Sequence, residues 1–175
     1  ALRCDRNFDV VYRVFRICGR EACMFFVDGF AKDDTLLRIL QGFTSLKPDA
    51  VPQTAHEFSK LFIPYGEVDL LTDDAEIAVQ VLSGVPCLFV DGYSKCFAID
   101  CRTYPARGVA EPDKDKVLRG SRDGFVETLV FNTALIRRRI RDPQMTIEVM
   151  QAGSKSHTDI ALCYMEGRVD QDLLS

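Results

Sequence analysis

Four closely spaced arginines are the side chains of this chain best suited to holding an anion. They are Arg102, Arg107, Arg119 and Arg122. A guanidinium presents a planar fork of N–H donors that matches a carboxylate or a phosphate. Gly120 and Gly124 permit unusual backbone angles nearby, and free backbone N–H groups at a helix start could face the same anion. The pattern therefore predicts a ligand clamp as one possible role for this stretch.

The same four arginines could instead hold two parts of the chain together. Acidic side chains are interspersed with them or follow them closely: Glu111, Asp113, Asp115, Asp123 and Glu127. Ion pairs between the two sets would use the guanidinium donors internally and leave none for a ligand. A ligand clamp and an inter-lobe contact both stay open at this point.

A second basic cluster follows an apolar segment. Its members are Arg137, Arg138, Arg139 and Arg141. The C-terminal end of a helix carries partial negative charge and favours cations, so a solvated helix end explains the cluster simply. Contact with an acidic partner subunit is a second interpretation, and contact with anionic lipid head groups is a third.

The segment between the two basic clusters has helical periodicity. The residues that recur three or four positions apart, and so would share one helix face, are Phe125, Leu129, Asn132 and Ile136. Ser121 or Asp123 could cap the start of this helix. Asp142 precedes Pro143, which disfavours helical angles and predicts the end of the helix.

No set of residues predicts catalysis or metal binding. The chain has two histidines and seven cysteines, without C-x-x-C, G-x-S-x-G or Walker A spacing. Asp28 and Asp91 precede glycines, which is typical of turns, and we expect Asp100 to pair with a nearby arginine. We therefore expect no catalytic residue, no cofactor, no metal and seven free thiols in a reducing compartment. An enzyme that uses a cysteine or an aspartate stays an open alternative.

The remaining pattern predicts an α/β (α+β) chain made of two small mixed lobes. The expected strands are residues 8–17, 21–27, 68–71, 87–93, 96–100, 146–150 and 158–165, and the expected helices begin near residues 33, 54, 73 and 170. Prolines and charged residues punctuate the stretch between the lobes. The sequence predicts an N-terminal lobe at 1–103, a hinge at 104–116 and a C-terminal lobe at 117–175.

Composition excludes some classes of protein. The net charge of −4 gives no reason to expect nucleic-acid binding. At 47% hydrophobic residues the chain can build a core, yet no apolar run reaches the length of about 18 residues that predicts a membrane helix. The chain shows no leader pattern, and we expect no signal peptide.

The amino-acid sequence of the arginine-rich block resembles that of a known protein family. Arg-Gly-Ser-Arg-Asp-Gly-Phe-Val-Glu at 119–127, followed by Asn132 and the arginines, is similar to the N-terminal soluble domain of the A subunits of bacterial spore germination receptors. The resemblance also covers Phe-Val-Asp-Gly at 26–29, Cys-Arg-Thr-Tyr-Pro-Ala-Arg at 101–107 and Thr-Asp-Ile-Ala at 158–161.

This resemblance implies a function without catalysis. It implies a domain on the cytoplasmic side of the spore inner membrane, with membrane helices in a segment that follows it. It implies germination signalling and ion release through assembly and conformational change. The partners implied are other germination membrane proteins or receptor subunits, with a homo-oligomer expected in the full-length protein. The alternative is a module that binds an anion or small molecule between the lobes.

Overall fold

The centre of the molecule is a five-stranded antiparallel sheet. The computed structural model describes residues 2–44, 51–64, 66–104 and 124–174. The strands of this sheet are β1 (Val10–Ile17), β2 (Arg20–Val27), β3 (Glu67–Leu71), β4 (Cys87–Val90) and β5 (Cys96–Asp100). Their spatial order is β1-β2-β4-β5-β3, and each neighbouring pair is antiparallel. Strands β1 and β3 therefore form the two edges of the sheet.

A two-residue turn fixes the register of the first hairpin. Ile17 pairs with Arg20, so only Cys18 and Gly19 lie in the turn. Both have positive φ, 51° and 83°, as a type I′ turn requires. That turn type matches the right-handed twist of the strands, and this explains the eight pairs that β1 and β2 form without a bulge.

Helices cover both faces of the sheet. One face packs against α1 (Asp33–Thr44) and α2 (Ala55–Phe62), around a core that includes Phe43, Phe58 and Phe97. The other face packs against α3 (Asp74–Leu82) and α4 (Leu129–Arg139). Thr54 and Asp73 cap α2 and α3 by accepting backbone N–H groups, at 3.2 Å and 2.8 Å.

A second, two-stranded sheet follows α4. Strands β6 (Met145–Ala152) and β7 (Thr158–Met165) form an antiparallel hairpin, which joins the central sheet where the Phe8 amide donates to the Ile147 carbonyl at 2.8 Å. A short 3-10 helix at Gln171–Leu173 stands where the sequence predicted a terminal helix. Among the described residues, no helix combines the length and apolar character needed to cross a membrane.

The predicted mixed α/β class is confirmed, and so is each predicted strand. The predicted start of the helix in the arginine block was wrong. The helix begins at Leu129, and Phe125 lies before it with 67% of its surface exposed. Its buried residues are Thr133, Ala134 and Arg137, because the two small side chains let the helix approach the sheet closely.

The predicted division into two lobes stays a prediction. Of the hinge proposed at 104–116, only Tyr104 belongs to the described residues. Ala134 of α4 lies in the same buried cluster as Val10 and Val27 of the central sheet. The helix that follows the proposed hinge thus packs against the sheet that precedes it.

Candidate functional site

A buried ion pair lies where α4, the central sheet and the β6–β7 hairpin meet. The Arg137 Nε donates to Asp9 Oδ2 at 2.7 Å, and its Nη2 donates to Asp9 Oδ1 at 3.0 Å. The Arg137 side chain has no exposed surface, and that of Asp9 is 2% exposed. Such a two-pronged contact is the strongest geometry available to an arginine and a carboxylate.

Arg137 makes two further hydrogen bonds, and two more hold its partner Asn7 in place. Its Nη1 donates to the Met145 carbonyl at 3.1 Å, and its Nη2 donates to Asn7 Oδ1 at 3.0 Å. The same Asn7 oxygen accepts the Ile147 amide at 3.0 Å, while the Asn7 amide nitrogen donates to the Leu2 carbonyl at 2.9 Å. One guanidinium therefore links the N-terminal segment, the start of β1 and the start of β6.

The prediction that Arg137 faces a partner or a lipid surface is wrong. Position 137 lies on the inward face of α4, one turn after Thr133 and Ala134. Spacing from those two small residues could have indicated this, but four arginines close together looked like one exposed group. Burial of this charge requires a partner carboxylate at the same point, and Asp9, which supplies it, is distant in sequence.

Arg138 and Arg141 contact the end of α3 and Tyr104. The Arg138 guanidinium lies 4.7 Å from the centre of the Tyr104 ring. The Arg141 Nη1 donates to Ser83 Oγ, and its Nη2 donates to the Tyr104 hydroxyl, both at 3.4 Å. The Tyr104 hydroxyl in turn donates to the Ser83 carbonyl at 2.9 Å. These contacts fasten the C-terminal end of α4 to the central sheet and its helices.

Arg139 and Arg141 keep exposed surface at the end of α4. The Arg139 Nη1 donates to the Leu135 carbonyl at 3.2 Å, and the Arg141 Nε donates to the Arg138 carbonyl at 3.3 Å. Cations thus satisfy the last carbonyls of the helix, as its dipole favours. Contact of Arg138, Arg139 or Arg141 with a partner or with lipid stays a prediction.

Arg102 is engaged by Asp100, as expected for that aspartate. The Arg102 Nε donates to Asp100 Oδ1 at 2.9 Å, and its Nη2 makes a second, very short bond to Oδ2. This hydrogen bond lowers the pKa of the Asp100 carboxyl and raises the pKa of the Arg102 guanidinium. A ligand at Arg102 would have to share the guanidinium with Asp100, which occupies its Nε and Nη2 donors.

Arg107, Arg119 and Arg122 lie outside the described residues, together with Ser121 and Asp123. A ligand clamp and an inter-lobe contact therefore both stay predictions for these arginines.

Asn132 holds the segment that leads into α4. The Val126 amide donates to Asn132 Oδ1, and Asn132 Nδ2 donates to the Val126 carbonyl, both at 2.7 Å.

Three of the cysteines, Cys87, Cys96 and Cys101, are buried, whereas Cys163 is exposed. All seven are present as thiols. A hydrogen bond to Cys96 and burial between β4 and β5 raise the pKa of the Cys87 thiol, and burial likewise raises the pKa of Cys101. Raised pKa values keep a thiol protonated and poorly nucleophilic. Within the described parts of the chain, no three His, Cys, Asp or Glu side chains are grouped to hold a metal ion.

A depression that the sequence did not predict lies between α1 and the end of α2. Its volume is about 670 Å³, and its lining includes Lys32, Thr35, Arg38 and Phe62. Its charged lining residues are two cations, Lys32 and Arg38, and one carboxylate, Asp34. No sequence motif predicts this depression, because the residues that α1 contributes to it are three or four positions apart and do not form a contiguous pattern.

Comparison with protein families gives a match over nearly the whole chain. The model of the family described as "Bacillus/Clostridium GerA spore germination protein" matches residues 2–175. The chain is 37% identical over 173 residues to stage V sporulation protein AF of Bacillus subtilis (strain 168), covering 96% of the chain and 34% of that protein. It is 28% identical over 166 residues to spore germination protein B1 of the same organism, covering 92% of the chain and 34% of that protein.

A solved structure has a similar fold. It is the N-terminal domain of the A subunit of the Bacillus megaterium spore germinant receptor GerK3, with a TM-score of 0.73 and 23% identity. The match covers 96% of this chain and 62% of that one. The chain spans about a third of the length of the curated relatives it matches.

Proposed function

Because the chain belongs to the GerA family of spore germination proteins, we propose that it is the cytoplasmic domain of a spore inner-membrane protein that acts in germination signalling and ion release. The domain works by assembly and conformational change, without catalysis. It assembles with further copies of itself and with other germination membrane proteins or receptor subunits. The observation that carries this proposal is the family match over residues 2–175.

The buried contacts of Arg137 support a mechanical role. One side chain bonds to Asn7 in the N-terminal segment, to Asp9 just before β1 and to Met145 at the start of β6. A force applied to the β6–β7 hairpin would therefore act on the central sheet through Arg137 and Asp9, because neither charge can separate without exposure to an apolar interior. Such coupling suits a domain that passes a displacement between a partner and a membrane segment.

Ion release is tested with spores that lack the gene for the full-length protein. We expect slower release of monovalent cations from these spores after a germination stimulus, and recovery when the wild-type gene is restored. A catalytic role would be supported instead by a chemical turnover in the wild-type protein that a variant lacks. That variant would have to keep the fold and the amount of membrane-bound protein.

The side of the membrane is tested with Cys163, the cysteine with an exposed position. A membrane-impermeant maleimide is applied to sealed inner-membrane vesicles of either orientation, with the Cys163→Ser protein as the control for the other thiols. We expect labelling that depends on Cys163 in inside-out vesicles only. Labelling confined to right-side-out vesicles would contradict the cytoplasmic placement.

A further inference from the structure

The two edges of the central sheet carry opposite charge. Strand β1 pairs only with β2, and strand β3 pairs only with β5, among the described residues. Arg13 and Arg16 are exposed on β1, whereas Glu67 and Asp69 are exposed on β3. None of these four side chains forms an ion pair with another described residue.

The backbone of β1 is open toward solvent along most of its length. The Asp9 carbonyl accepts from Asp28 on the β2 side, while the Phe8 amide donates outward to Ile147. Because bonding alternates along an antiparallel strand, the backbone groups of Tyr12, Val14 and Arg16 point outward. None of these three has a further backbone partner among the described residues.

The side chains beside this edge form two apolar surfaces. On the α1 side, Phe15, Phe26, Leu36 and Leu40 line a groove of about 370 Å³, with Arg13 at its rim. On the opposite side Tyr12 and Val14 are 53% and 66% exposed. An added strand could thus bury side chains on both faces, which is the usual form of strand addition to a sheet edge.

Strand β3 has the composition that this edge would accept. Its sequence is Glu67-Val-Asp-Leu-Leu71, with Val68 and Leu70 on the helix α2 side and the two carboxylates on the other. The antiparallel order β1-β2-β4-β5-β3 makes β1 and β3 run in the same direction. If a second copy continues the sheet, its β3 lies parallel to β1 with the faces of both sheets aligned.

We infer that copies of this chain associate head to tail, with the β1 edge of one copy against the β3 edge of the next. Val68 and Leu70 of one copy enter the groove beside Phe15 of its neighbour, and Glu67 and Asp69 face Arg16. Pairing of β1 with β1 is disfavoured, because it would bring two copies of Arg13 and Arg16 into one ribbon. A head-to-tail contact repeats, and the twist of the sheet turns the repeat into a ring or a helix.

This inference rests on the proposed assembly with further copies, to which it adds the surfaces that meet. The first test is sedimentation of the 175-residue chain at increasing concentration. We expect association that is weakened at least about tenfold by Arg13→Glu with Arg16→Glu, and equally by Glu67→Lys with Asp69→Lys. An equal mixture of the two double variants should associate again, because the first variant then has two acidic edges and the second has two basic edges, so every contact between unlike copies pairs opposite charges.

Two further variants distinguish edge pairing from non-specific association. Val14→Pro removes an outward amide and is tolerated on an edge strand, so it should abolish association while thermal unfolding confirms the fold. Val79→Ser, at a residue of α3 with 49% exposure, should leave association unchanged. Hydrogen exchange should slow at Tyr12, Val14 and Arg16 on association, and not at Arg13.

The second test uses the full-length protein in membranes, in which one tagged copy carries Val14→Cys and another carries Asp69→Cys. We expect an oxidative cross-link between the two tags, and none when Val79→Cys replaces Asp69→Cys. Absence of the cross-link together with failure of the mixed variants to associate overturns the inference. A cross-link only between two Val14→Cys copies, or capture of a different polypeptide by the β1 edge, also overturns it. If only the proposed edges are wrong, spores that lack the gene should still release cations slowly. That result distinguishes failure of this inference from failure of the proposed function.

Discussion

Arg137 and Asp9 form a fully buried ion pair between residues 128 positions apart in the chain. Two hydrogen bonds join them, and Asn7 and Met145 satisfy further donors of the same guanidinium. Arg137 of the basic cluster therefore has a structural role in the interior. The exposed arginines beside it donate hydrogen bonds to carbonyls at the end of α4.

Removal of Arg137 should destabilise the fold strongly. We expect Arg137→Ala to lower the free energy of unfolding by about 3–5 kcal/mol, because it leaves the Asp9 carboxylate buried without a partner. Denaturation with urea measures the change. Arg168→Ala is the matched control, and this exposed arginine should change stability by less than about 0.5 kcal/mol. The double variant Asp9→Leu with Arg137→Met should recover part of the loss. If this double variant is destabilised as much as Arg137→Ala, the buried unpaired carboxylate is not the cause.

The Asn132 amide should matter for the approach to α4. Asn132→Ala removes both bonds to Val126 and should cost about 1–3 kcal/mol, since two partly buried backbone groups lose their partners. Exchange of the Val126 amide should become faster in the variant. Gln151→Ala, which removes a side-chain bond to Asp159 at the exposed end of the hairpin, serves as the control. If Val126 exchanges at the wild-type rate, Asn132 does not hold this segment.

Tyr164 should ionise at unusually high pH. Its hydroxyl donates to Glu148 Oε1 at 2.7 Å, and this bond together with burial raises the pKa of Tyr164 to about 12. The raised pKa stabilises the folded state below the unfolded value of about 10, and this stabilisation disappears as pH rises from about 10 to 12. Ultraviolet titration should show Glu148→Gln lowering the pKa. An unchanged titration would show that Glu148 is not the cause.

Relative motion of the two predicted lobes can be tested at an ion pair that joins their ends. Arg6 in the first lobe lies 3.3 Å from Glu166 in the second, and its side chain is 58% exposed. A short bismaleimide should link Arg6→Cys to Glu166→Cys, and in full-length protein the link should slow cation release while thermal unfolding stays intact. Each single variant with the same reagent is the control. Normal release with a verified link would leave a static scaffold.

The sequence alone determined most of the local structure. The helix starts near Thr54 and Asp73 and the alternating apolar residues of the strands are short-range signals, and the elements they predict are present. The pairing of Asp100 with a neighbouring arginine could also be predicted, because Arg102 is two residues away. The family resemblance came from the wording of residues 119–127, and the match over residues 2–175 confirmed it.

Only the tertiary structure decided which arginine is buried and which edges are open. Arg137 has the same residue type and nearly the same sequence surroundings as Arg138 and Arg139. What separates them is the rotation of α4 and the arrival of Asp9 from the other end of the chain. In the same way, β1 and β3 become edges because of the strand order. Burial of a charge and exposure of a backbone both depend on contacts between distant segments, which local patterns do not encode.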